Sequence, residues 1–372
     1  MNPRLLGFAS LALAGTLAPA LAPSVAVGAG APDFSRVDAV MQQVVATVPL
    51  PGASLIVVKD GAAIFEQHYG SYSANTRRPV ASVSKWVSAM VIGSVVDSGL
   101  LRWDSTIGEW FPQARPDQQA ITLRQLFSHT AGFSGESNPC ITDPTTTLEA
   151  CAAQILAMPL SYAPGTCFDY AGNSMQVAGR MVELAAGQAW DDLFIARVVQ
   201  PLGLVATDYA NTSLQPGYVR NTNPRIDGGV RSRANEIVRI AQVFVQRGQF
   251  GGQQVLSAAT VDFMRADQTG GVPYAQTPDP LSYGYGIGLW RNRLDQHGTA
   301  VVGSSAGALG TWPWFDTAAG VAAVFFTQDR RERIESTARA LVREVNAAVL
   351  FGDPVHADGL EGQPMRAGCA VR

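Results

Sequence analysis

Lysine is nearly missing from this chain. Of its 27 basic residues only two, Lys59 and Lys85, are lysines, and the others are arginines. Charge of either sign is also sparse, at 15% of 372 residues, and the formal net charge is −3. No basic run is longer than three residues, which excludes nucleic acid as the main partner. Cysteine is scarce too, with Cys140, Cys151, Cys167 and Cys369, and no CxxC or Cys/His cluster points to a metal site. After the N-terminal segment no apolar run is long enough to span a bilayer.

What is abundant is apolar: 47% of the residues. That supports a sizeable core in one large domain or two intimate ones. The first residues combine one arginine, a short apolar segment, then small residues and prolines. This pattern predicts a secretory signal peptide over residues 1–29, cleaved near Ala29, and no stable membrane insertion once it is removed. A secreted or periplasmic protein with four cysteines can form disulfides. Cys140 and Cys151 bracket a short loop and are the favoured pair, which leaves Cys167 and Cys369 as the arithmetic remainder in an irregular tail, 351–372.

The periodicities place strands at both ends of the chain and helices in its middle. "FSRVDAVMQQVVATV" has helical period, and "ASLIVVKDGAAIFEQHYG" reads as a β-hairpin turning at Lys59-Asp60-Gly61. That turn accounts for one lysine as a solvated side chain. "SVSKWVSAMVIGSVVDSGLL" is an almost wholly apolar helix, buried all round. Residues 100–235 are helix and loop. Strand-like runs return in "YGYGIGLW", "TAVVGSS", "LGTWPWFD" and "GVAAVFFTQ", before a terminal helix. The expectation is an α/β (α+β) domain over 35–350. Its central antiparallel sheet is built from about 35–95 and 236–350, with a helical part, about 96–235, inserted.

The second lysine lies inside the apolar helix. Ser82 and Lys85 form S-x-x-K, and residues three apart on a helix share one face. Ser82 stands at the helix start, where the dipole favours developing negative charge. A lysine with a buried stem and few neighbours can act as a base. Arginine, which stays protonated, cannot. The chain therefore departs from its arginine habit at 85 because an amine there must be able to give up a proton. Standing alone, S-x-x-K also describes a capping serine beside a snorkelling lysine.

The surrounding segments resemble, in order, those of serine β-lactamase-like hydrolases of the class C branch. "ITLRQLFSHTAGF" is similar to ITLRxLLSHTSG. "APGTCFDYAGNSMQVAGRMVE" is similar to PGxxFxYSNxxYxLLGxIIE. "VVQPLGLVATDY" and "RANEIVRIAQVFVQRGQFGGQQVLSAATVDFM" match further segments, so the resemblance spans roughly 35–345. It implies a β-lactamase/transpeptidase-like fold with the site between sheet and helical part. It also implies a small ester or amide substrate, an acyl-enzyme on Ser82, and no metal or organic cofactor. Members include class C β-lactamases, D,D-peptidases, D-aminopeptidases, family VIII esterases and acyltransferases.

Tyr170 takes the place of the family's Tyr-x-Asn tyrosine, which implies a proton-shuttling phenol near the ammonium. Two departures follow. Position 172, where the motif has asparagine, is glycine, and Asn173 lies one step later, a turn of about 100° on a helix. The third motif, Lys-Thr-Gly or His-x-Gly in relatives, reads Ser305-Ala306-Gly307, followed by Ala308. The amides of Ser82 and Ala308 would form the oxyanion hole. Gly172, Asn173, Ser305, Ala306 and Gly307 would border the substrate, without the charge that grips a carboxylate. His129, in SHTAG, is read as structural.

These departures favour small neutral esters over β-lactams, and leave D-aminopeptidase, acyltransferase and a catalytically decayed binding module as alternatives. "GSSAG" at 303–307 also satisfies the nucleophile elbow G-x-S-x-G, with Asp329 and His356 following in chain order. That motif needs strand, tight turn and helix, and the next residues read as strand. Acyl and leaving-group choice and oligomeric state are not legible in the sequence.

Overall fold

In the computed structural model, the described residues are 31–211, 213, 215–280, 282–350 and 366–370. The expected signal peptide lies outside them, as do His356 and most of the tail. Six strands build one antiparallel sheet: β1 (Gly52–Lys59), β2 (Ala62–Gly70), β3 (Trp290–Leu294), β4 (Ala300–Ser304), β5 (Trp312–Asp316) and β6 (Val321–Thr327), in the order β2-β1-β6-β5-β4-β3. The hairpin strand β1 therefore runs beside the late strand β6, with Leu55 opposite Phe325 and Val57 opposite Ala323. Both strands are buried on both faces, which is why they read as continuous apolar runs rather than alternating ones.

Side-chain alternation divides that sheet between two cores. Ala53, Leu55, Val57, Ala323 and Phe325 face one core with α1 (Ser35–Thr47) and the terminal helix α5 (Arg331–Val349). Ile56, Val58, Val324 and Phe326 face the other with α2 (Val83–Asp97) and α4 (Ala234–Val245). Trp86 of α2 lies between Phe244 of α4 and Phe315 of β5, with ring centroids at 4.9 and 5.7 Å. Every residue of α2 from Val83 to Val95 is buried, as its apolar sequence requires. The segment between α2 and α4 contains α3 (Asn173–Ala186) and several shorter helices.

Both disulfides are formed. Cys140–Cys151 has its Cα atoms 5.2 Å apart, and Cys167–Cys369 5.5 Å. The second corrects the expectation of a loose tail at Cys369. Ala367 forms a parallel bridge with Tyr274, Tyr274 donates its N–H to Arg366 O, and Gly368 donates to Tyr274 O. Tyr274–Gln276 in turn pairs with Phe168–Asp169. The tail thus adds an edge to the strand that pairs with the short one leading to Tyr170. Among the described residues no helix is long and apolar enough to cross a membrane, and no group of His, Cys, Asp and Glu could hold a metal ion.

Candidate active site

The site is built at the start of α2. A short strand, Arg77–Pro79, pairs with Arg231–Arg233, and Val80 N–H continues the pairing to Val230 O. The chain then turns through Ala81, a non-glycine residue at φ +48°, a conformation that costs about 1–2 kcal/mol. Ser84 holds the turn, donating Oγ–H to Ala81 O at 2.6 Å and accepting from Val230 N–H at 2.9 Å. Ser82 follows as the N-cap of α2, half-buried, with its side chain not spent on capping.

Lys85, 2% exposed, donates from Nζ to Ser82 Oγ at 3.2 Å and to the Asp227 backbone oxygen at 2.9 Å. Nζ also lies 4.5 Å from the Tyr170 ring centroid, so the ammonium meets the face of that ring. The Tyr170 ring stacks on Trp290 at 5.3 Å and is backed by His129 at 4.4 Å. Ser82 and Lys85, from one helix start, and Tyr170, from a distant segment, thus converge.

One expectation fails at Lys85. It was read as an amine with few neighbours, yet Asp227 Oδ2 lies 3.6 Å from Nζ. Burial pushes the Asp227 carboxyl up, but the Lys85 ammonium and Arg225 guanidinium outweigh it and hold the group below its ordinary value. Arg225 Nε donates to Asp227 Oδ1 at 3.0 Å. Sequence reasoning missed both residues. Asp227 lies 142 positions from Lys85, and the one signal was a lone acid between an arginine and Gly228-Gly229.

The loop carrying Asp227 is clamped by two helices. Ser88 of α2 donates to Ile226 O at 2.7 Å, and Gln176 of α3 accepts from Ile226 N–H at 2.9 Å and donates to Pro224 O at 3.1 Å. Gly229 and Gly228 both donate to Arg225 O, closing a tight turn.

The substrate-border residues fall differently from expectation. Asn173 is fully buried and turned away: Nδ2 donates to Ser134 O and Glu136 O at 3.0 and 2.8 Å, while Oδ1 accepts from Asn138 N–H at 2.8 Å. Its amide fastens the 134–138 loop. Ser305 is buried, and its hydroxyl is committed to Gly288 O at 3.2 Å and Ser82 O at 3.3 Å. Ala306 packs into the core on the α1/α5 side. At Gly307 a Cβ would stand 2.3 Å from Val80 O, so this glycine is required for packing against the segment that leads to Ser82. Ala308 is exposed in the turn after β4. Among the described residues neither the Ser82 nor the Ala308 N–H has a hydrogen-bond partner, as free oxyanion donors must be.

The nucleophile-elbow alternative does not hold: Ser305 is followed by a turn and then β5, with no helix, and its hydroxyl is occupied. His129 has the structural place assigned to it. Its Nδ1 accepts from Ala171 N–H at 3.3 Å, and burial, then the Lys85 ammonium, keeps the imidazole well below its ordinary pKa.

The profile of the Beta-lactamase family matches residues 37–347. The chain belongs to that family. A β-lactamase-like protein of solved structure from Bacteroides dorei is 31% identical, with TM-score 0.77, covering 86% of this chain and 99% of that one. Penicillin-binding protein 4 of Amycolatopsis lactamdurans is 28% identical across 86% of this chain and 94% of its own. Esterase EstB of Burkholderia gladioli is 29% identical, across 46% of this chain and half of its own length. The family is one of serine hydrolases of β-lactamase, penicillin-binding-protein and esterase type, and the fold is theirs.

Proposed function

We propose that the chain is an extracellular or periplasmic serine hydrolase that forms an acyl-enzyme on Ser82 and acts on small neutral esters. The observation that carries this is the 3.2 Å contact between Ser82 Oγ and Lys85 Nζ under the Tyr170 ring, with a committed serine, Ser305, where a carboxylate-gripping charge would stand. Ser82 Oγ attacks the ester carbonyl, and its proton passes to Lys85 in its neutral amine form, in exchange with Tyr170. The Ser82 and Ala308 amides receive the oxyanion, and such donors contribute about 3 kcal/mol each. The alcohol leaves with a proton, and water then cleaves the acyl-enzyme. The two disulfides support an oxidising compartment.

A neutral ester needs only nucleophile, base and oxyanion hole. A β-lactam or D-Ala-D-Ala peptide also brings a carboxylate, and losing its charge-assisted contact costs about 1.5–3 kcal/mol. A second reading, a penicillin-recognising enzyme, has one observation in its favour: Arg225, 36% exposed at the Asp227 carboxylate, is a cation at the site. The test has two parts. A fluorophosphonate probe should label Ser82, with Ser82→Ala unlabelled. Then p-nitrophenyl butyrate and a chromogenic cephalosporin are assayed under the same conditions, with kcat/KM for the ester expected to exceed that for the cephalosporin by at least about tenfold. Absence of label removes the hydrolase reading; a preference for the cephalosporin replaces the ester with the penicillin-type substrate and turns attention to Arg225.

A further inference from the structure

Gly172 and Asp227 share one small volume. A Cβ built on Gly172 would stand 2.8 Å from Asp227 Cγ and 3.0 Å from its Oδ2, closer than non-bonded atoms tolerate. Gly172 sits at the N-cap of α3 at φ −90°, an ordinary backbone conformation, so the glycine is not required by its φ angle. It is required by the carboxylate beside it. The clamped loop delivers that carboxylate into the space a side chain at 172 would fill, 3.6 Å from Lys85 Nζ.

Nζ then has three acceptors around it: Ser82 Oγ, Asp227 O and Asp227 Oδ2. That arrangement suits an ammonium, which has three N–H donors. We propose that Asp227 is the positioning residue of this site, fixing the Lys85 amine against Ser82, and that Gly172 is its steric complement. The inference rests on the serine-hydrolase reading above and deepens it. It also bears on specificity. Both carboxylate oxygens already face protein cations, Oδ1 to Arg225 and Oδ2 to Lys85. An anionic acyl group meets a carboxylate here. The groups facing Lys85 are Ser82, Tyr170, Asp227 with Arg225 behind it, and His129, which lies close enough to feel its charge.

The scarcity of lysine makes the pair directly observable. Protein labelled with ζ-15N lysine has two side-chain signals, Lys59 and Lys85. Asp227→Asn keeps the shape and removes the charge. Removing the carboxylate charge beside Nζ alters its surroundings, so the Lys85 15N shift should move while that of Lys59 stays in place. The acidic limb of the kcat/KM profile on p-nitrophenyl butyrate should move to lower pH. An unmoved Lys85 signal overturns the proposal, and it does so whether or not the ester is the right substrate. Loss of fluorophosphonate labelling in the wild type would instead strike the hydrolase reading alone.

The steric half is tested with a cycle. Gly172→Asn and Asp227→Ala should each lower kcat/KM by at least about tenfold. In the double variant the asparagine enters the vacated volume, and activity should exceed that of both single variants by several-fold. A Gly172→Asn protein that fails to fold but is restored by Asp227→Ala gives the same support, read by circular dichroism. A harmless Gly172→Asn, or a double variant with simply multiplied losses, overturns the complementarity.

Discussion

The two lysines occupy opposite surroundings but have partners of the same kinds. Lys59 Nζ meets the Asp60 carboxylate at 2.8 Å and the Ala319 carbonyl at 3.1 Å. Lys85 Nζ meets the Asp227 carboxylate at 3.6 Å and carbonyl at 2.9 Å. Yet the Lys59 side chain is 34% exposed and the Lys85 side chain 2%. Water can replace every partner of the first, so its ion pair is worth about 0–1 kcal/mol. It cannot do so for the second, where losing one partner leaves an uncompensated buried charge, at a cost of about 3–5 kcal/mol. Partner types do not distinguish a chemical lysine from a solvated one. Burial and a serine hydroxyl within reach do.

The largest effect should come from Lys85→Arg. Charge is kept, but a guanidinium cannot give up its proton. We expect a loss of at least about 10³-fold in kcat with the fold intact by circular dichroism. Near-normal turnover in a folded variant would remove Lys85 from the proton path. Tyr170→Phe should follow, at about 10²-fold. The ring over Nζ and the Trp290 stack survive this change, so the loss isolates the hydroxyl; an unchanged kcat would leave the ring with packing alone.

This ordering shows what the sequence could disclose. Ser82 and Lys85 were legible because each lies in a run whose pattern is local, a helix start and an apolar helix, and Tyr170 because its segment resembles the family's. The hairpin and late strands were legible from apolar runs of strand length, and their union in one sheet from strands at both ends of the chain with helices between. Asp227 was not legible, since a loop acid becomes informative only when folding brings it beside Gly172. Asn173 misled because its amide chemistry suits a substrate as well as it suits the 134–138 loop. Cys369 was read as loose because the tail's pairing with Tyr274 is one bridge long and has no periodic signature.

That tail yields the next prediction. Cys369→Ser removes the bond that ties the edge to the strand of Tyr170, and should cost about 2–5 kcal/mol in denaturant unfolding. Turnover should fall with it, because Tyr170 N–H bonds to Gln276 O on the adjoining strand. Equal activity at reduced stability would separate the tail from the site.

A smaller, pH-dependent effect belongs to His129. Burial first, then the Lys85 ammonium, lowers its folded value well below the ordinary 6.5. As pH falls, the unfolded chain takes up this proton before the folded one. Its contribution is therefore complete above the unfolded value and is lost below about pH 6.5, at a slope approaching 1.4 kcal/mol per pH unit. Urea unfolding at pH 7.5, 6.5 and 5.5 measures it, and His129→Gln should flatten the curve. A slope unchanged in that variant would assign the proton uptake elsewhere.

The smallest effect should be that of Lys59→Arg, the counterpart of the first substitution. Arginine can reach the same Asp60 carboxylate and Ala319 carbonyl from the same turn, and water solvates whatever contact is imperfect. Asp60 at φ +51° and Gly61 at φ +85° set the turn through their backbone, not through the lysine. Stability should change by less than about 0.5 kcal/mol, the range of exposed substitutions, and kcat by less than about twofold. The variant would also contain Lys85 as its one lysine, giving a single ζ-15N signal that assigns the resonance. A loss comparable to that of Lys85→Arg would mean that the turn at 59–61 bears on the site, and that burial is not what separates the two lysines.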